Sequence, residues 1–232
     1  MGVKERTALQ QAIYDMRWGD IPARVSQFLA GCMGFRMPEP NQSWAWLTEA
    51  WKRGAPDTIP VSWSVRGLPD ERWVRFHSLP ESKRYADSEE EYQILLGRHH
   101  QVLADLRGDD EGDIVAVHMA WTTGGRFRAP KGFRRIAATW PLWRTFADDD
   151  PDSDGVPWHA FARWVPPTPT ALDPLLRRVA DDIDRTLFTN ATVDWIYAPY
   201  DGGADVIARN AEERDVLEAK YADWLSAHPS GM

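Results

Sequence analysis

The sequence predicts an α+β protein: a largely antiparallel sheet with helices packed on it, preceded by an N-terminal helical segment. Three observations lead there. The hydrophobic period changes from helical to alternating near Ile59, the alternating segments cluster and follow one another through short turns, and the helical segments between them carry recognisable caps.

Taken in order, Leu9, Ile13 and Met16 recur at helical spacing, as do Val25, Phe28, Leu29 and Cys32 after Pro22. These two early helices run into Met37, Pro38, Glu39 and Pro40, a linker, so residues 1–40 read as a loosely attached extension and 41–232 as a single domain. Trp44, Leu47 and Trp51 follow Asn41 as a third helix that Gly54 stops. Residues 59–66 and 73–79, rich in β-branched and aromatic types and separated by a Gly-Leu-Pro-Asp turn, predict a hairpin. The clearest helix follows: Asp87 or Ser88 caps it, Glu90 or Glu91 stands three residues on, and Tyr92, Leu95, Leu96, His99, Leu103 and Leu106 form its apolar stripe up to Gly108.

Residues 114–121 predict a strand, as do segments near 135–146 and 156–165, the last two joined by an acidic loop over 148–155. A helix is expected from Asp173, with Pro174 in its first turn, where a missing N–H costs nothing. A meander through 187–188, 193–198 and 205–208 turns at Asp201-Gly202-Gly203, and the final helix is capped by Asn210 with Glu213.

Three of these stretches together resemble a bacterial family of unknown function, DUF3885: Trp-Val-Arg-Phe-His-Ser-Leu-Pro-Glu-Ser-Lys-Arg over 73–84, the Ser88 helix, and the C-terminal run over 197–231. The C-terminal run is the most specific, with its Tyr-Asp-Gly-Gly turn, Asp-Val-Ile strand and a closing helix carrying Tyr and Asp-Trp. The resemblance covers about residues 60–232, is weakest over 122–156, and implies a shared fold without handing over catalytic residues.

Composition excludes several classes. The net charge of −8 is shared evenly by the two halves, which opposes long-range association with nucleic acid. No apolar run approaches the length of a membrane span, and Lys4, Glu5, Arg6 and Asp15 stand where a secretory signal needs apolar residues. The single Cys32 lies in an apolar run and forms no internal disulfide, so a cytoplasmic location is expected. There is no GxSxG, no GxxxxGK[ST] and no GxGxxG after a strand, and no cofactor is expected.

Four places remain as candidates. Arg75 and His77 share one strand face, where a phosphate or carboxylate can sit between a guanidinium and an imidazole; Asp201 and Asp205 offer carboxylates for acid/base chemistry. The plainer reading makes the first pair structural and gives Asp201-Gly202-Gly203 the work of a tight turn. Arg126, Arg128, Lys131, Arg134 and Arg135, followed by Trp140 and Trp143, have the composition of a binding surface with stacking rings, in a stretch with no acid between 114 and 147. Asp150, Asp152 and Asp154 match the start of a calcium loop, but its twelfth position is Phe161, which favours a solvated acidic turn and no metal. Lastly, 13 tryptophans exceed what a core of this size needs, and exposed Trp beside Arg is the composition of protein interfaces.

The expectation is a non-catalytic cytoplasmic module that binds another protein, in the manner of an immunity or antitoxin-type partner. Nucleic acid through 126–144 and a membrane are disfavoured as partners. The alternative is a small enzyme acting on a phosphorylated or carboxylated substrate, with Arg75 and His77 as anion contact and Asp201 or Asp205 as base. The two differ in shape: the enzyme gathers these side chains around one hollow, whereas the module presents a flat Trp/Arg patch.

Overall fold

The computed structural model describes residues 40–66, 68–123, 126–128, 139–146 and 158–225. In chain order its elements are α1 (Ala45–Gly54), α2 (Ser62–Val65), β1 (Trp73–His77), α3 (Glu89–Arg107), β2 (Ile114–Thr123), β3 (Arg126–Arg128), β4 (Leu142–Phe146), β5 (Trp158–Val165), α4 (Pro169–Ala180), β6 (Arg185–Thr189), β7 (Ile196–Tyr200), β8 (Gly203–Ile207) and α5 (Ala211–Lys220). The strands form one antiparallel sheet in the order β1-β8-β7-β6-β2-β5-β4, with β3 paired to the far end of β2. The architecture is α+β, as the sequence predicts.

Both faces of the sheet are covered, so β2, β6, β7 and β8 bury nearly all of their described side chains instead of alternating with solvent. On one face, Leu95, Leu103 and Leu106 of α3, Leu172 and Leu176 of α4 and Leu217 of α5 pack against Val74, Phe76, Phe161, Phe188 and Val206. On the other, Trp44, Leu47 and Trp51 at α1, with Val61 and Val65 at α2, pack against Val115, Val117, Leu187, Ile196 and Ile207. The helix ends follow the caps. Ser88 Oγ accepts from the Glu91 N–H at 3.3 Å, Asn210 Oδ1 accepts from the Glu213 N–H at 2.8 Å, and Gly108 ends α3 at φ +58°.

Three expected elements differ. Residues 59–66 are not a strand: 62–65 form α2, which lies over the sheet, and β1 takes β8 as its antiparallel partner in place of a hairpin. Helix α4 begins at Pro169, with Thr168 at the N-cap position but making no side-chain cap bond, so Pro174 falls inside the helix and deprives Thr170 of a hydrogen-bond donor. The strand expected near 135–146 is ordered as β4 over Leu142–Phe146, while the acidic loop and the extension over 1–39 lie outside the described residues. Among the described residues no helix is long and apolar enough to cross a membrane.

Candidate functional site: an arginine-lined cavity at the end of the sheet

Strand pairing puts Arg75 directly opposite Asp205, and His77 opposite Gly203. Because β1 alternates, Val74 and Phe76 enter the core under α3, while Trp73, Arg75 and His77 take the face shared with α2. The Arg75 guanidinium donates to both Asp205 oxygens at 2.9 and 3.2 Å, and the Trp73 indole N–H donates to Oδ1 at 3.0 Å. Arg66, from the end of α2, brings its Nε to 3.3 Å from Asp205 Oδ2. The Asp205 side chain is 0% exposed, so a single enclosed carboxylate serves two guanidiniums. Burial opposes the charge on Arg75, but the hydrogen bonds and attraction of Asp205 outweigh it and hold its pKa above the usual arginine value. The rings of Trp73 and Tyr200 lie 5.5 and 5.2 Å from the same guanidinium.

The β7–β8 turn supplies the next group. Asp201 accepts from Arg84 Nε at 2.6 Å and from the Tyr85 hydroxyl at 2.7 Å, which raises the pKa of Arg84. A Cβ at Gly203 would stand 2.2 Å from the Phe76 carbonyl oxygen, so only glycine lets β8 approach β1 closely enough to form this corner.

A cavity of about 500 Å³ opens here, with Arg66, Arg75, His77, Arg84, Arg185, Asp201, Trp63 and Tyr200 in its walls. Among the described residues Arg84 pairs with Asp201, Arg185 with Asp182 and Arg178 with Asp184, whereas Arg66 and Arg75 share Asp205. Among these described residues the guanidiniums therefore outnumber the carboxylates by one. Burial lowers the pKa of His77, against a backbone hydrogen bond with Gly202, and Arg75 and Arg98 lower it further, so the ring is neutral at pH 7. Its Nε2 is buried with no hydrogen-bond partner among the described residues. Two residues of the wall, Ser82 (φ 55°) and Asp182 (φ 56°), hold left-handed backbone, as does Glu81 (φ 56°) next to Ser82.

Of the four polar candidates from the sequence, Arg75, His77 and Asp201 thus meet around one hollow. Asp205 does not face it as a base: it lies enclosed beside Arg75 and positions that guanidinium. Arg66, Arg84, Arg185 and Trp63 were missed. Reading 62–66 as a helical turn would have placed Trp63 and Arg66 side by side at i, i+3.

The basic segment is placed differently. Arg126 and Arg128 lie on β3, Lys131, Arg134 and Arg135 fall outside the described residues, and Trp140 and Trp143 are 4% and 3% exposed. Trp143 donates to Thr48 Oγ1 at 3.0 Å and meets Trp51 edge-on, while Trp140 meets His118 edge-on. Because both sheet faces are covered, these two rings fill the core and offer no stacking surface. Asp150, Asp152 and Asp154 also lie outside the described residues, and among those described no group of three or more His, Cys, Asp or Glu side chains is placed to hold a metal ion.

Two further imidazoles are enclosed. His99 lies between Ser78 Oγ, at 3.3 Å, and the Tyr197 hydroxyl, and His118 Nδ1 is 3.0 Å from Thr186 Oγ1. Burial pushes His99 down to about 3 and His118 down to about 4.

A family model described as "Domain of unknown function (DUF3885)" matches residues 62–229, a span that includes every cavity residue named above and strands β1 to β8. No curated protein and no solved structure matches the chain.

Proposed function

We propose that this chain, which belongs to the DUF3885 family, binds a small anionic ligand, through a phosphate or carboxylate group, in the cavity beside β1 and β8. The observation that carries this reading is the sharing of Asp205 by Arg66 and Arg75, which among the described residues gives two guanidiniums at the cavity wall one carboxylate. An oxyanion supplies the missing partner, and arginine's planar fork suits phosphate and carboxylate geometry. Asp205 and Asp201 fix the directions of Arg75 and Arg84, so the positive groups are held in place before a ligand arrives. In the enzymatic form of this reading the proton-transfer group is His77, whose unpaired Nε2 and neutral ring suit a base, and not Asp205.

Calorimetric titration of the full chain with inorganic phosphate tests the reading. Measurable binding is expected, weakened at least about tenfold in Arg66→Gln through loss of a charge-assisted contact. Absence of heat at millimolar phosphate, or an Arg66→Gln variant that binds as tightly as the parent, overturns it.

A protein partner is the second reading, and one observation favours it. Trp164 is 40% exposed and stacks on Trp46 with ring centroids 5.4 Å apart, a paired-indole surface of the kind found at interfaces. Loss of a co-purifying protein in Trp164→Ala, with phosphate binding intact, would separate this reading from the first.

A further inference from the structure

Resting on the anion-binding reading of the same cavity, we infer that its ligand carries a planar aromatic ring as well as its anionic group: a phosphorylated nucleoside, whose base lies on Trp63 while its phosphate meets Arg66. Trp63 is 50% exposed, in contrast to Trp44, Trp51, Trp140, Trp143 and Trp195, all of which are buried in the core. It lines the cavity and is braced edge-on by Trp158, with ring centroids 6.2 Å apart and the planes at 64°, so a large, half-exposed ring is held at the wall. A solvated indole at this position is a loss for the isolated protein and a gain once a flat ring covers it.

Spacing joins the ring to the charge. Trp63 and Arg66 are three residues apart on one helical turn, Arg66 itself keeping helical backbone at φ −61°, ψ −20°, so their side chains leave the helix as neighbours about 5–6 Å apart at Cβ. The ring of one and the guanidinium of the other therefore border a single ligand. Size points the same way. A phosphate ion alone would leave most of the roughly 500 Å³ filled with water, whereas that volume lies within the usual range for sites that enclose a small organic molecule. Pro60, Val61 and Pro199 add apolar wall, which a bare anion does not use.

The experiment titrates the full chain by calorimetry with a nucleoside monophosphate, ribose 5-phosphate, the matching nucleoside and inorganic phosphate. The nucleoside monophosphate is expected to bind about tenfold tighter than ribose 5-phosphate, the stacking increment of one base. Trp63→Ala is expected to remove that increment, bringing the nucleoside monophosphate to the affinity of ribose 5-phosphate, and Trp63→Phe to keep most of it. Equal affinity for the nucleoside monophosphate and ribose 5-phosphate, or a Trp63→Ala variant that keeps the preference, overturns the inference and leaves the anion site standing. Failure of all four compounds to bind overturns both.

Discussion

Acidification from pH 7.5 to 5.0 is expected to destabilise the fold through its enclosed imidazoles. His99 and His118 are held neutral, at about 3 and about 4, against an ordinary value of 6.5. Folded-state values below the unfolded one mean that the contribution is complete above pH 6.5 and is lost as the pH falls from there toward the folded values. Because both folded values lie well below 5, the loss at pH 5.0 is set by the unfolded chain, which gains each proton 1.5 pH units below 6.5. At 1.36 kcal/mol per unit this is about 2 kcal/mol for each histidine and about 4 kcal/mol for the pair. His77 and His159 are lowered in the same direction and add to the loss. The lowered carboxylates, Glu49, Glu89, Glu90 and Glu91, have an ordinary value of 4.5 and act mainly below pH 5, so the window belongs to the imidazoles. Urea unfolding followed by tryptophan fluorescence reads the effect: with an m-value of about 2–3 kcal/mol/M, the midpoint drops by about 1.5 M. In His99→Gln and in His118→Gln the drop between the two pH values shrinks by about half, whatever each substitution costs at pH 7.5. An unchanged midpoint in the parent protein would show that the folded state accommodates the charged rings, and the argument from burial would be wrong.

Two substitutions probe the frame of the cavity and a third probes helix α4. Asp205→Asn leaves two guanidiniums without their shared carboxylate and is expected to cost about 3 kcal/mol in urea unfolding; a change below about 1 kcal/mol would mean that the cluster is solvated. Gly203→Ala forces a Cβ against the Phe76 carbonyl, so a loss of about 3 kcal/mol together with weakened phosphate binding is expected, measured by unfolding and calorimetry on the same sample. Pro174→Ala restores an interior helix donor at an exposed position and should raise stability by about 1–3 kcal/mol; a neutral or destabilised variant would show that the Pro174 ring makes up elsewhere for its missing hydrogen bond.

How much of this was legible in the sequence depended on range. The β7–β8 hairpin was readable because Asp201-Gly202-Gly203 determines its own turn, and α3 and α5 because Ser88 and Asn210 meet N–H groups only three residues away. The segment 59–66 was not. Its β-branched and aromatic residues suit a strand as well as a helix seated on a sheet, and only packing of Val61 and Val65 against the sheet decides between them. Helix α4 was placed too late because Asp173-Pro174 repeats the cap-and-proline signal that Thr168-Pro169 delivers first. Alternation put Arg75 and His77 on one face, but periodicity names a face and not the neighbouring strand. That β1 lies against β8, bringing Asp205 to Arg75 and Arg84 to Asp201, is a property of the assembled sheet.

The pairing of Arg75 with Asp205 joins residues 130 positions apart, near opposite ends of the described chain. During synthesis β1 leaves the ribosome long before its partner exists, and closing so large a loop is among the last and slowest events of maturation. A prematurely stopped polypeptide lacking β8 has no Asp205 to hold Arg66 and Arg75 at the wall of the hollow, so occupancy by a ligand that proves to need them would count only finished molecules.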